Sequence, residues 1–258
     1  MGAPAPRQPM GGGGTDWLPL GPPPEDGLPL LCFPHAGAGA SVFRAWKGLT
    51  PPPLAVCPLQ LPGRDGRFRE PPGRAVGPLV NAAAEALAPL LDRPFAIFGH
   101  SMGAILAFEF TRALRRLGAP PPVHLFVSGR VAPQVRTPGE GLHRLPTPEF
   151  LRFIRSLGGI PERVLHGQAF AELMVPLLRA DIEVNETYRH AAEPPLDVPL
   201  TVLAGRDDHK VPLRWVRPWA EHTTEKFALH VLPGGHFFPY DSPGSVLGLL
   251  ADPFEEWS

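Results

Sequence analysis

Cysteine is scarce, with two in 258 residues, Cys32 and Cys57. Both lie in apolar, strand-like runs and read as reduced core residues, because a disulfide framework needs more of them. An excess of charge of either sign is also missing. Lys and Arg number 24 against 25 Asp and Glu, for a formal net charge of −1, so electrostatic capture of nucleic acid or of an anionic membrane is not expected. There is no run of about 18 apolar residues, and hence no expected membrane span. The N-terminal stretch MGAPAPRQPMGGGG has no apolar signal-peptide core. Pro6 stands where a myristoylation signal needs Ser or Thr. The expected location is therefore cytoplasmic. No His/Cys cluster has zinc spacing, and no metal is expected.

What the chain does have is proline, glycine and a large apolar fraction: 37 Pro, 28 Gly and 43% hydrophobic residues. That fraction suffices for a sizeable core and is too high for a disordered protein. The length suits one α/β domain. Residues 1–27 are Pro/Gly-rich with few apolar side chains, and the expectation is a mobile tail. Ordered structure is expected from residue 28 to residue 258.

Six short apolar runs punctuate that stretch: LPLLCF (Leu28–Phe33), LAVCPL (Leu54–Leu59), FAIFG (Phe95–Gly99), HLFVSG (His124–Gly129), LTVLAG (Leu200–Gly205) and FALHVL (Phe227–Leu232). They mostly end in Gly or Pro and read as strands buried on both faces. Helical patterns lie between them, notably PLVNAAAEALAPLL and MGAILAFEFTRALRRLG, the latter ending at a capping Gly118. Strands alternating with helices imply a parallel sheet covered on both sides. Residues of about 138–192 break this rhythm with helical patterns only, and are expected to form a helical lid over the site.

Chemistry concentrates at FGHSMG. Gly99, Ser101 and Gly103 fit G-x-S-x-G between a strand and a helix, the setting of a nucleophile elbow. Ser101 is the expected nucleophile. Its base is expected to be His236, which follows the last strand through the Gly-Gly turn of LPGGHFFPY. The orienting acid belongs after the preceding strand, where LTVLAGRDDHKV supplies both Asp207 and Asp208; sequence order does not separate them. The expected oxyanion donors are the backbone N–H groups of Met102, at the helix start, and of Ala36, in the FPHAGAGAS loop. That loop does not fit a dinucleotide fingerprint, because Val42 occupies the third glycine position after Gly37 and Gly39.

With these residues placed, the chain resembles the type II thioesterases of polyketide and non-ribosomal peptide biosynthesis, relatives of the medium-chain fatty-acid-synthase thioesterase. Blocks carrying the resemblance occur in family order: LLCFPHAGAGASVFRAW, PLQLPGRDGRFREPP, RPFAIFGHSMGAILAFEFTR, HLFVSGRVAP, LMVPLLRADIEVNETYR and LPGGHFF. The resemblance implies an α/β-hydrolase fold, mostly parallel with a helical lid insertion. It also implies hydrolysis of acyl groups from the phosphopantetheine arm of acyl or peptidyl carrier proteins. No cofactor of its own is implied, since the pantetheine is carried by the partner. No carrier-like segment is evident in the chain, so the carrier is expected in trans, and a monomer is the family's usual state. The family's acid lies three residues before a valine, here Val211, which selects Asp208, although the Gly-Arg-Asp-Asp-His of residues 205–209 departs from the commoner Gly-Asp-x-Asp-Pro. A general carboxylesterase or acyltransferase, or a non-catalytic carrier-binding protein, could share the same framework.

Overall fold

The computed structural model describes residues 14–135, 141–158 and 170–257. Its centre is a six-stranded parallel sheet: β1 (Leu28–Phe33), β2 (Leu54–Pro58), β3 (Ala96–His100), β4 (His124–Ser128), β5 (Leu200–Gly205) and β6 (Phe227–Leu232). The spatial order is β2-β1-β3-β4-β5-β6. Each strand lies within a residue or so of its expected run. Every residue of β1, β3, β4 and β5 is buried, whereas the edge strands β2 and β6 are partly open.

Side chains alternate across the sheet, as strand geometry requires. Leu31, Phe33, Ile97, Val127 and Val202 join the core on one face. Leu30, Cys32, Phe98, Phe126 and Leu203 join that on the other. The first face is covered by α2 (Val76–Leu87) and α3 (Met102–Leu117). The second is covered by α8 (Pro243–Ala251), following the short helices α6 (Leu213–Val216) and α7 (Phe238–Asp241). Helix α3 is buried from Met102 to Leu114 and ends, as expected, on a left-handed Gly118 with φ 67°. The polar groups inside it are paired: Arg112 donates to Glu109 at 2.8 Å, and Glu109 also accepts from the Tyr188 hydroxyl at 2.8 Å. Cys32 and Cys57 are free and buried, and burial pushes the Cys57 thiol up to about 11.

The chain makes β1, steps out to the edge as β2, then crosses back to make β3 on the other side of β1. The β1/β3 junction is thus the topological switch point, where the loops leaving the two strands diverge and open a crevice at the carboxyl edge.

Between β4 and β5 the described residues contain no named strand. They form α4 (Thr147–Leu157) and α5 (Val175–Thr187), the latter entered through a π-helical turn at Phe170–Met174. Phe150 and Ile154 of α4 pack on Val175, Leu178 and Ile182 of α5, a small core separate from the two sheet cores. The rest of the expected lid, residues 138–140 and 159–169, lies outside the described residues.

The tail expectation needs correction from residue 14 onward. A short helix, α1 (Gly14–Trp17), leads into the domain, with Trp17 fully buried and Leu18 nearly so. The Arg67 guanidinium lies 4.6 Å from the Trp17 ring centroid, and the Gln60 N–H donates to the Trp17 carbonyl at 2.9 Å. Burying the indole contributes roughly 4–6 kcal/mol by area, offset in part by its Nε1–H, which is buried without a hydrogen-bond partner. Residues 1–13 lie outside the described part. No described helix is long and apolar enough to cross a membrane.

Candidate active site

The functional groups collect at the carboxyl edge of the sheet because each follows a strand. Ser101 follows β3, the His35–Gly39 loop follows β1, Asp208 follows β5 and His236 follows β6. Ser101 has a positive φ of 57° with ψ −113°, a strained conformation for a non-glycine residue. Its neighbours permit this. A Cβ on Gly99 would stand 2.1 Å from the Gly103 carbonyl oxygen, and one on Gly103 would stand 2.2 Å from that of Phe33. Strand, elbow and helix can close this tightly only because both positions lack side chains. The Ser101 N–H donates to the Ser128 carbonyl at 2.8 Å, tying the elbow to the adjacent strand.

His236 Nε2 lies 3.0 Å from Ser101 Oγ, and His236 Nδ1 lies 2.6 Å from Asp208 Oδ2. The structure therefore separates the two aspartates. Asp208 is buried, faces the histidine and has its other oxygen held by the Lys210 N–H at 3.1 Å. Asp207 turns outward, accepting from the Gly234 N–H at 3.2 Å while its own N–H donates to the Gly234 carbonyl at 3.0 Å. It braces the histidine loop from outside. Met102 opens α3, where the first N–H groups have no partner within the helix. Ala36 borders the same cavity as Ser101 and His236.

Two further imidazoles stand close to His236. His100 is fully buried, its ring 5.1 Å from that of His236, and Nδ1 lies 3.1 Å from Ser128 Oγ. Burial holds its pKa well below the ordinary value. His35 is lowered to about 4, chiefly by desolvation. Both stay neutral near pH 7, so neither opposes a positive charge forming on His236.

The cavity holds about 520 Å³ and runs from Ser101 beneath the helical insertion. Ile105, Val131, Phe153 and Ile182 give it apolar walls, with Asn185 and Tyr188 adding polar groups. A serine, an imidazole and a buried carboxylate joined in series beside such a cavity can carry out acyl transfer through a covalent ester.

Sequence reasoning did not find the buried pair Arg64–Asp181, which grips the loop containing Ala36. The partners stand 117 positions apart, so no local pattern joins them.

Fold and site together define the class: an α/β-hydrolase with a serine at its elbow. The Thioesterase domain family model matches residues 28–252, and the chain belongs to this family of thioester hydrolases. It is 41% identical over 223 residues to the gramicidin S biosynthesis protein GrsT of Aneurinibacillus migulanus, covering 86% of this chain and 87% of that one. It is 38% identical over 231 residues to LgrE of Brevibacillus parabrevis, covering 88% of each. Among solved structures, RedJ, the thioesterase of the prodiginine biosynthetic pathway in Streptomyces coelicolor, superposes with a TM-score of 0.83 at 39% identity, over 92% of both chains. LgrE is named a linear gramicidin dehydrogenase. In this chain the glycine loop after β1 runs into a 3₁₀ turn, Ala40–Phe43, in place of the long helix that receives a dinucleotide pyrophosphate.

Proposed function

We propose that the protein is an editing type II thioesterase that removes acyl groups from the phosphopantetheine thioester of acyl or peptidyl carrier proteins serving a polyketide or non-ribosomal peptide synthase. The observation that carries this reading is the unbroken series Ser101 Oγ, His236, Asp208, with links of 3.0 and 2.6 Å, opening into the cavity under the helical insertion. The substrate class draws support from the relatives, one named for gramicidin S biosynthesis and one a thioesterase of the prodiginine pathway.

In this reading His236 Nε2 takes the Ser101 proton as Oγ attacks the thioester carbonyl. The N–H groups of Ala36 and Met102 hold the oxyanion, and Asp208 keeps Nδ1 protonated and stabilises the imidazolium. The pantetheine thiolate takes a proton from His236 and leaves. Water, deprotonated by the same nitrogen, attacks the acyl-serine and releases the carboxylic acid with Ser101 regenerated. The chemistry needs no cofactor beyond the arm that the carrier brings. The helical insertion roofs the acyl chain, its apolar walls excluding water from all but the ester.

A direct test compares an acyl chain on a holo-carrier protein with the same chain on an oxygen ester. Preference for the carrier thioester in kcat/KM supports the reading. A preference for the oxygen ester would assign the site to a general carboxylesterase.

A further inference from the structure

We infer that Asp181, clamped by Arg64, is a positioning residue that holds the oxyanion loop in its working conformation and ties it to helix α5. This rests on the reading of Ala36 as an oxyanion donor.

The loop is a four-residue turn. The Ala38 N–H donates to the His35 carbonyl at 3.1 Å, placing Ala36 and Gly37 at the corners. Gly37 has φ 79°, the value that a type II turn needs at its third position. In that turn the peptide between the two corner residues is flipped relative to a type I turn. Two side chains hold it so. The Gly37 N–H donates to Asp181 Oδ2 at 2.7 Å, and His35 Nδ1 donates to the Ala36 carbonyl at 2.9 Å. Flipping the peptide would turn the Ala36 carbonyl oxygen toward a carboxylate.

Asp181 can serve as an anchor because it is itself fixed. Arg64 donates from Nη1 to Oδ2 and from Nη2 to Oδ1, each at 2.8 Å, and Nη1 also reaches the Ala38 carbonyl at 3.0 Å. The two side chains are 4% and 1% exposed. The pair thus grips the turn at residues 37 and 38, flanking Ala36 on its C-terminal side. A third tie, from the Ala40 N–H to Gln60 Oε1 at 3.3 Å, continues the bracing. Helix α5 meets the loop a second time through Leu178, whose Cδ2 would lie 2.6 Å from a Cβ on Gly37. A buried ion pair is not generally more stabilising than a well-packed apolar pair of the same volume. What an apolar pair cannot do is accept the Gly37 N–H, and charge-assisted acceptors fix a donor more tightly than neutral ones.

The expected signature is specific. The oxyanion is full only in the transition state, so a misaligned Ala36 N–H lowers kcat while ground-state binding survives. The experiment uses the full chain and three variants, Asp181→Asn, Arg64→Met/Asp181→Leu and Ser101→Ala. It measures kcat and KM on an acyl-pantetheine thioester and the affinity for an alkylboronic acid that adds to the serine as a tetrahedral anion. Asp181→Asn should lose about 10- to 100-fold in kcat with KM within a few-fold, and boronate affinity should fall in step. The double variant avoids an unpaired buried charge but leaves the Gly37 N–H and the Ala38 carbonyl without partners, so it should fold with a lowered melting temperature and remain comparably slow. Wild-type turnover in the folded double variant would reduce the pair to a structural role and overturn the inference. So would a rise in KM with kcat intact. Undiminished turnover in Ser101→Ala would strike instead at the underlying functional reading, which keeps the two failures distinct.

Discussion

Strain at Ser101 and its removal elsewhere belong to the same design at the level of single residues. A φ of 57° on a non-glycine residue costs on the order of 1–3 kcal/mol. In return Oγ stands at the crevice, 3.0 Å from His236 Nε2, with the start of α3 behind it. Two adjacent aspartates then divide the work on His236. Asp208 orients the ring, and Asp207 holds the turn that delivers it. Asp208→Asn should therefore lower kcat by about 10⁴, because an amide no longer holds the imidazole in the right tautomer. Asp207→Asn keeps an oxygen for the Gly234 N–H and should stay within a few-fold of wild type. Steady-state kinetics on one thioester distinguishes the two, and the larger loss in Asp207→Asn would reverse the assignment.

At the scale of elements, the site depends on strand ends that a parallel sheet brings to one edge. The closest fit is the elbow, where β3, the serine and α3 fold back within one turn. Gly103→Ala would press a methyl group against the Phe33 carbonyl at 2.2 Å. Neither backbone can give way freely, so a loss of about 3 kcal/mol in stability is expected, read as a lower denaturation midpoint. A midpoint equal to wild type would show that β1 and α3 can part without cost. These elements were legible in the sequence because strands buried on both faces appear as bare apolar runs, and because Gly-x-Ser-x-Gly states its own backbone requirement. The position of His236 beside Ser101 was legible from its place after the last strand. The carboxylate that meets His236 was legible only to within two adjacent residues, since Asp207 and Asp208 occupy the same loop and differ only in which way they face. Trp17 was not legible. It sits in a stretch whose composition reads as tail, and its burial depends on Gln60 and Arg67, more than 40 positions on. Arg64 and Asp181 escaped for the same reason.

Over the whole molecule, several buried or half-buried histidines are held neutral. His35, His124 and His222 are lowered to about 4, and His100 falls well below its ordinary value, in each case chiefly by desolvation. Their folded pKa values lie below the ordinary value of about 6.5. The unfolded chain therefore takes up more protons as pH falls through this window. The stability that they contribute is fully present above about pH 6.5 and is lost progressively toward pH 4. A urea midpoint clearly lower at pH 5 than at pH 7.5 is expected; equal midpoints would mean that these rings protonate without unfolding.

The proposed function has the chain act on a whole partner protein, and that interaction gives the most direct test of all. A carrier protein loaded with an acyl-phosphopantetheine arm is incubated with the wild-type protein or with Ser101→Ala, and the intact mass of the carrier is followed in time. Wild type should strip the acyl mass and leave the free thiol on the carrier, while folded Ser101→Ala leaves the acylated mass unchanged beyond spontaneous hydrolysis. Removal of the acyl group by Ser101→Ala at the wild-type rate, or no removal by wild type, would contradict thioester hydrolysis through Ser101.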